Sequence, residues 1–239
     1  MIKYACVTGA DRGLGLEMVK ELLKKGYHVF AGKYQQTWTL LEDLKSSYAD
    51  QLTIIDLDVS SDESVKKAAN KILEKTHSLE VVINNSAITG NNMSVLGDEL
   101  NYDEMLKVIN VNAIGAIRVT NELFSLLKNG EKKWVMNISS EAGSIGDCHR
   151  KGWFAYCSSK AAMNMLSSIT HNNLKEIGGQ VIIIHPGWMK SWLSGKYHDE
   201  GPLTADIPAK KIIAMLDTLN HAPEEHPLYI DYEGNSLKF

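Results

Sequence analysis

The chain has 239 residues, 44% of them hydrophobic, and a formal charge of −4. That length fits one α/β domain over 1–239, and the apolar share suits a packed core and not a disordered chain. No dense Lys/Arg cluster accompanies the mild negative balance, which argues against nucleic acid or an anionic membrane as a partner.

An apolar run at 3–8 reads as a buried strand, so no signal peptide is expected ahead of it. The glycine-rich turn Thr8-Gly-Ala-Asp-Arg-Gly-Leu-Gly15 follows, and then an amphipathic helix over 13–24. Glycines between a strand and a helix let the backbone turn tightly and approach a pyrophosphate. The helix N-terminus adds unpaired N–H groups and a positive dipole end. The spacing is G-x-x-x-G-x-G rather than the commoner G-x-G-x-x-G. Taken alone, Gly9, Gly13 and Gly15 also fit an ordinary loop.

Strands and helices then alternate. Strands are expected at 27–31, 52–56, 79–84, 134–139, 181–185 and 228–231. Helices are expected at 40–48, 62–75, 103–127, 154–176 and 207–219. This β-α-β alternation with short connections indicates a Rossmann-type doubly wound α/β fold, a parallel sheet with helices on both faces. Ligands of such sheets lie outside the C-terminal strand ends. Gly9, Asp58, Asn84, Ser140 and Pro186 all follow expected strands and are expected to line one crevice.

Tyr156 and Lys160 stand four apart on the helix expected at 154–176, which puts them on one face. A phenol titrates near 10, and a nearby ammonium favours the phenolate. The pair can supply a tyrosine that gives or takes a proton. The same spacing alone fits a packed phenol beside a solvated lysine. No His, Cys or carboxylate group has a recognisable metal spacing, so no metal is expected. Three cysteines, an odd number, and the lack of a membrane-length apolar run fit a cytoplasmic protein.

Taken in order, these motifs resemble the short-chain dehydrogenase/reductase family over nearly the whole chain. They are Thr8-x3-Arg12-Gly13-x-Gly15, Asp58-Val59, Asn84-Asn85, Asn112, Ser139-Ser140, Tyr156-x3-Lys160 and Pro186-Gly187. A gap of sixteen positions from Ser140 to Tyr156, His185-Pro-Gly-Trp188 and the ending Tyr229-Ile-Asp-Tyr-Glu-Gly234 resemble the carbonyl reductases of the C-factor or sniffer type. The resemblance implies that Tyr156 is the proton donor or acceptor. It implies that Lys160 lowers the Tyr156 pKa and binds the nicotinamide ribose. Ser140 would hold the substrate oxygen, and Asn112 would fix a water leading protons past Lys160.

By the same resemblance the dinucleotide would meet Gly9, Asp11, Arg12, Gly13, Leu14, Gly15, Lys33, Asp58, Val59, Asn85, Ser86, Ala87, Tyr156, Lys160, Pro186, Gly187, Met189 and Ser191. The family's Asn-Asn-Ala-Gly reads Asn84-Asn85-Ser86-Ala87 here, and the lost glycine threatens to crowd the backbone there.

The second strand ends without a carboxylate until Glu42, while Lys33 and Arg12 offer two cations. That pattern favours NADP(H), with its 2′-phosphate, over NAD(H) as the weaker alternative. Trp153, Trp188, Trp192 and Tyr197 suggest a lid over an apolar or ring-bearing carbonyl or alcohol, though they equally fit packing. The segment expected as a helix at 103–127 is apolar nearly all round, which points to a homodimer or homotetramer through it and the helix from 154. The rival reading is a dinucleotide-binding regulatory or signalling protein with incidental turnover.

Overall fold

The structure is a computed structural model that describes residues 2–220 and 222–239. Seven strands form one parallel sheet in the order β3-β2-β1-β4-β5-β6-β7. They are β1 (Lys3–Val7), β2 (Tyr27–Lys33), β3 (Leu52–Asp56), β4 (Val81–Asn84), β5 (Trp134–Ile138), β6 (Gln180–His185) and β7 (Leu228–Asp231). The helices are α1 (Gly13–Lys24), α2 (Leu40–Lys45), α3 (Asp62–Leu73), α4 (Tyr102–Ile109), α5 (Gly115–Glu122), α6 (Phe124–Asn129), α7 (Phe154–Lys175) and α8 (Asp206–Thr218). Strand order reverses direction between β1 and β4, the place where such sheets bind ligands.

The central strands read as unbroken apolar runs because both of their faces are covered. Val81, Ile83, Ile182 and Ile184 face a layer built from α1, α2 and α8. Val82, Val181 and Ile183 face a layer built from α3, α5, α6 and α7. Alternation along one strand therefore feeds two cores rather than a core and a solvent face. Side chains fix several helix starts. Ser61 accepts from the Ser64 N–H at α3, and Asn101 accepts from the Glu104 N–H at α4.

The long helix expected at 103–127 is not continuous. A π-helical turn, Asn110–Ile114, separates α4 from α5, and Leu123 breaks α5 from α6. The physical reason for the first break is Asn112, whose side chain is turned fully inward onto polar partners. Gly115 follows at a close contact, where a Cβ would lie 2.8 Å from a Val59 methyl. The second strand runs two residues further than expected and takes Lys33 into the sheet. A short 3₁₀ turn, Glu141–Gly143, follows β5 and has no counterpart in the sequence reading.

Candidate active site

At the ends of β1 and β4 the backbone and neutral side chains close on each other. Thr8 Oγ1 accepts from the N–H groups of Asn85 and Ser86, both at 3.0 Å. Asn85 Nδ2 donates to the carbonyls of Thr8 at 3.0 Å and Gly9 at 2.9 Å. This lacing brings the two loops so near that a Cβ on Gly15 would lie 2.2 Å from the Gly9 oxygen. Gly13 is different: its φ is +56°, and a Cβ there would meet open space. Arg12 at the α1 N-cap makes no side-chain cap bond, and the first turn holds no acid. The unpaired N–H groups there suit an anion such as a pyrophosphate. Among the described residues the only non-glycine residues at positive φ are Lys133 and Trp153. Ala87 therefore takes the family's glycine position without a positive φ.

Asn84, expected in the crevice, instead turns into the helix layer. Its Nδ2 donates to Thr120 and Asn137, both buried. Asp58 accepts from the N–H and hydroxyl of Ser60, and Val59 packs against Gly115.

Four residues converge beyond β5. Ser140 follows the strand, and its carbonyl accepts from Tyr229 Oη at 2.5 Å. Tyr156 sits in the first turn of α7, buried, with its phenol near the Ser140 hydroxyl. Lys160 Nζ lies 5.6 Å from the Tyr156 ring centroid and donates to the Ile138 carbonyl at 2.8 Å. Asn112 Oδ1 accepts from the Ile88 N–H, while its Nδ2 donates to the Ile88 carbonyl and to Ser159 Oγ. Its side chain is a clamp between α7 and the segment after β4, and its Oδ1 keeps a second acceptor site.

Electrostatics at this end run against the simple Tyr–Lys expectation. Burial raises the Tyr156 pKa, with the Ser140 hydroxyl partly opposing it. Burial also lowers the Lys160 ammonium to about 7. A charge that is itself expensive to bury cannot strongly depress its neighbour, so desolvation wins at both groups. The phenol is held in the form that donates a proton.

Glu141 and Arg150 went unnoticed in the sequence, whereas His185 and Trp153 stood out there only as a motif and a lid residue. Glu141 Oε2 accepts from Ser140 Oγ at 2.6 Å, and Glu141 Oε1 pairs with Arg150. His185 Nδ1 lies 3.3 Å from Glu141 Oε2 and has no hydrogen-bond partner among the described residues. Burial pushes the Glu141 carboxyl up, but the Ser140 hydroxyl, His185 and Arg150 outweigh it and hold it below the usual range. Trp153 carries φ +66° at the start of α7, and its ring stands edge-on to Tyr156 with centroids 5.9 Å apart. A bulky residue held at positive φ is the kind of strain that collects at functional sites. The signal within the sequence was the long gap from Ser140 to Tyr156, which delivers Arg150 and Trp153.

The two cations expected to be free both carry acids. Arg12 pairs with Asp11 at 2.6 Å, and Lys33 pairs with Glu42 at 2.7 Å. Helix α2 brings Glu42 back over the end of β2, because a lysine only 4% exposed needs a partner. The expectation that no acid stands near that strand end is therefore corrected. Residues 188–202 form an ordered flap. Met189 pairs with Leu203 and Ser191 with His198. Gly187 takes φ +81° after Pro186, packed against Leu203 and Tyr232. The Trp192 ring meets Trp38 and Tyr197, both with centroids 5.0 Å apart, and Arg12 lies over Trp38. The aromatics thus tie the flap to the loop after β2, while Trp188 stays exposed.

Comparison with known proteins places this geometry. A family model described as short chain dehydrogenase matches residues 3–201. Mouse estradiol 17-beta-dehydrogenase 2 is 31% identical over 81% of this chain, which spans about half the length of that relative. The C-signal protein of Myxococcus xanthus is 30% identical over 68% of this chain and 93% of its own. An NADPH-bound carbonyl reductase from chicken fatty liver superposes with a TM-score of 0.86 at 28% identity, over 100% of this chain and 99% of its own. The carbonyl reductase Sniffer of D. melanogaster shares the fold, with a TM-score of 0.87 at 24% identity over the full length of both chains.

Proposed function

The chain belongs to the short-chain dehydrogenase family, and we propose that it is an NADP(H)-dependent oxidoreductase interconverting a carbonyl and an alcohol. Residues 1–239 act as one dinucleotide-binding domain in this reading. The observation that carries it is the meeting of the Ser140 and Tyr156 hydroxyls beside buried Lys160. Two hydroxyls at one point can hold a substrate oxygen whose charge changes during reaction. A bound nicotinamide supplies or accepts the hydride. Tyr156 gives a proton to the oxygen in reduction and takes it back in oxidation. Ser140 holds that oxygen, Lys160 supports the phenol and the ribose, and Asn112 fixes α7 and a water that leads protons past Lys160.

The uncapped start of α1 and the open space at Gly13 would take the pyrophosphate. Asp58, Val59, Asn85, Ser86 and Ala87 would flank the adenosine side. Pro186, Gly187, Met189 and Ser191 would flank the nicotinamide. Arg12 and Lys33 support a 2′-phosphate, which would share them with Asp11 and Glu42. The chicken carbonyl reductase, an NADPH complex by description, supports the same choice. NADH is the weaker alternative. The test is fluorescence titration with both reduced cofactors, followed by a panel of ring-bearing ketones, aldehydes and alcohols. Tighter NADPH binding and turnover are expected. An NADH preference would overturn the cofactor assignment, and binding with no turnover would favour a regulatory protein.

An interface between copies would use the two helical segments that the sequence singled out. Leu106 on α4 and Met165 and Ile169 on α7 are each more than half exposed. We place a symmetric contact there. Light scattering at micromolar protein should give two or four times 26.5 kDa; the chain mass at every concentration would remove the interface.

A further inference from the structure

Ser140 stands in the loop after β5, whereas Tyr156 stands on α7. Their hydroxyls can act on one oxygen only if loop and helix keep a fixed spacing, and a misplacement of about 1 Å can cost about 10²-fold in rate. Two further buried side chains, Asn164 and Tyr229, supply that spacing. Asn164 lies on α7, two turns beyond Tyr156. Its Oδ1 accepts from Ser139 Oγ at 2.7 Å, and its Nδ2 donates to the Gly143 carbonyl at 3.2 Å. One amide thus grips the chain on both sides of Ser140. Helix and loop are so close that a Cβ on Gly143 would lie 2.9 Å from Asn164 Nδ2.

Tyr229 arrives from the far edge of the sheet. It lies on β7, two places from β5, and its Oη donates to the Ser140 carbonyl at 2.5 Å. The Asn164 side chain reaches the same phenol, so the two residues form one cluster. Burial raises the Tyr229 pKa, which keeps the donated proton in place. A buried tyrosine needs some partner for its hydroxyl. Here the partner is the backbone of a site residue, and the bond leaves the Ser140 hydroxyl beside Tyr156. We propose that Tyr229 and Asn164 are positioning residues, which pin the Ser140 loop to α7 so that the Ser140 and Tyr156 hydroxyls meet the reacting oxygen at one point. The inference rests on the reading of Ser140 and Tyr156 as the groups that hold that oxygen.

The test is the single-turnover rate of hydride transfer from bound NADPH to ethyl benzoylformate, an activated ring-bearing ketone, read as loss of NADPH fluorescence. Tyr229→Phe keeps the ring packed on Phe239 and removes the bond to Ser140. The rate should fall about tenfold, inside the range that misplacement allows, with NADPH affinity unchanged. Asn164→Ala, which frees the loop on both sides of Ser140, should cost at least as much. In a Ser140→Ala background neither change should lower the rate further, because the group they position is gone. A purely structural role would instead lower the unfolding temperature and leave the rate of the folded enzyme alone. Folded Tyr229→Phe and Asn164→Ala enzymes with wild-type rates overturn the proposal, and so does a loss that is equal with and without the Ser140 hydroxyl. Should Asn164→Ala not fold, Tyr229→Phe and its cycle with Ser140→Ala decide alone. If the wild-type protein transfers hydride to no carbonyl of the panel, the functional reading itself has failed before any variant is made, and the proposal falls with it.

Discussion

The crevice is built in two different ways at its two ends. At β1 and β4 it consists of neutral groups that satisfy one another: Thr8, Asn85, Ser86 and the glycine backbone. At β5 and β6 it consists of ionisable groups: Tyr156 and Lys160, taken out of water, and the partly buried His185 and Glu141. The first end depends mainly on the backbone path, and its Thr8, Asn85 and Ser86 contacts carry no titratable group. The second end holds groups whose charge state depends on their neighbours. Binding a dinucleotide asks for fixed dipoles, whereas moving a proton asks for groups near a change of charge. The division is what such a task requires of one sheet.

The sharpest way to break this comparison is Tyr156→Phe. The ring keeps its packing against Trp153, and nothing at the β1/β4 end touches the lost hydroxyl. Turnover should fall by about 10²–10⁴-fold, the usual scale for a positioned acid or base, while NADPH affinity changes little. Single-turnover hydride transfer and a fluorescence titration measure the two quantities. A large loss of affinity would mean that the two ends are not separable, and a near wild-type rate would remove Tyr156 from the chemistry.

The same division governs what the sequence revealed. The glycine turn, the alternation of strands and helices and the Tyr156–Lys160 pair depend on residues close in sequence or on backbone geometry, and they were legible. The 103–127 segment looked continuous because apolar periodicity is blind to a one-residue insertion in a helical turn; the inward pull of Asn112 decides it. The ion pairs were opaque for another reason. Glu42 reaches Lys33, and Arg150 reaches Glu141, only because the chain folds back over a separation of nine positions. No local propensity encodes that return. Asn84 was misplaced because a residue ending a strand can point either to the crevice or to a helix layer, and the partners Thr120 and Asn137 choose.

A smaller effect tests the contrast without any ligand, through Lys160. An unfolded lysine titrates near 10.5, and in the folded chain burial brings Lys160 to about 7. Below pH 7 both states carry the proton, and the folded state bears the full cost of a buried charge. Between about 7 and 10.5 the unfolded chain binds a proton that the folded chain does not, so stability rises with pH. From pH 7 to 9 this gain is at most about 2 kcal/mol, since one pH unit corresponds to about 1.4 kcal/mol at full difference. Lys160→Met should abolish that rise. It also loses the bond to the Ile138 carbonyl, but that loss is the same at every pH. Asn85→Ala is the control from the other end of the crevice: it should lower stability by a constant amount and keep the wild-type slope. Urea unfolding at pH 6, 7, 8 and 9 on the three proteins gives the slopes, and groups such as Cys6 and Tyr27, common to all three, cancel. If Lys160→Met keeps the wild-type slope, the buried ammonium is not what makes this end of the crevice sensitive to pH. If Asn85→Ala flattens it, the neutral end is coupled to the charged one, and the two are a single device.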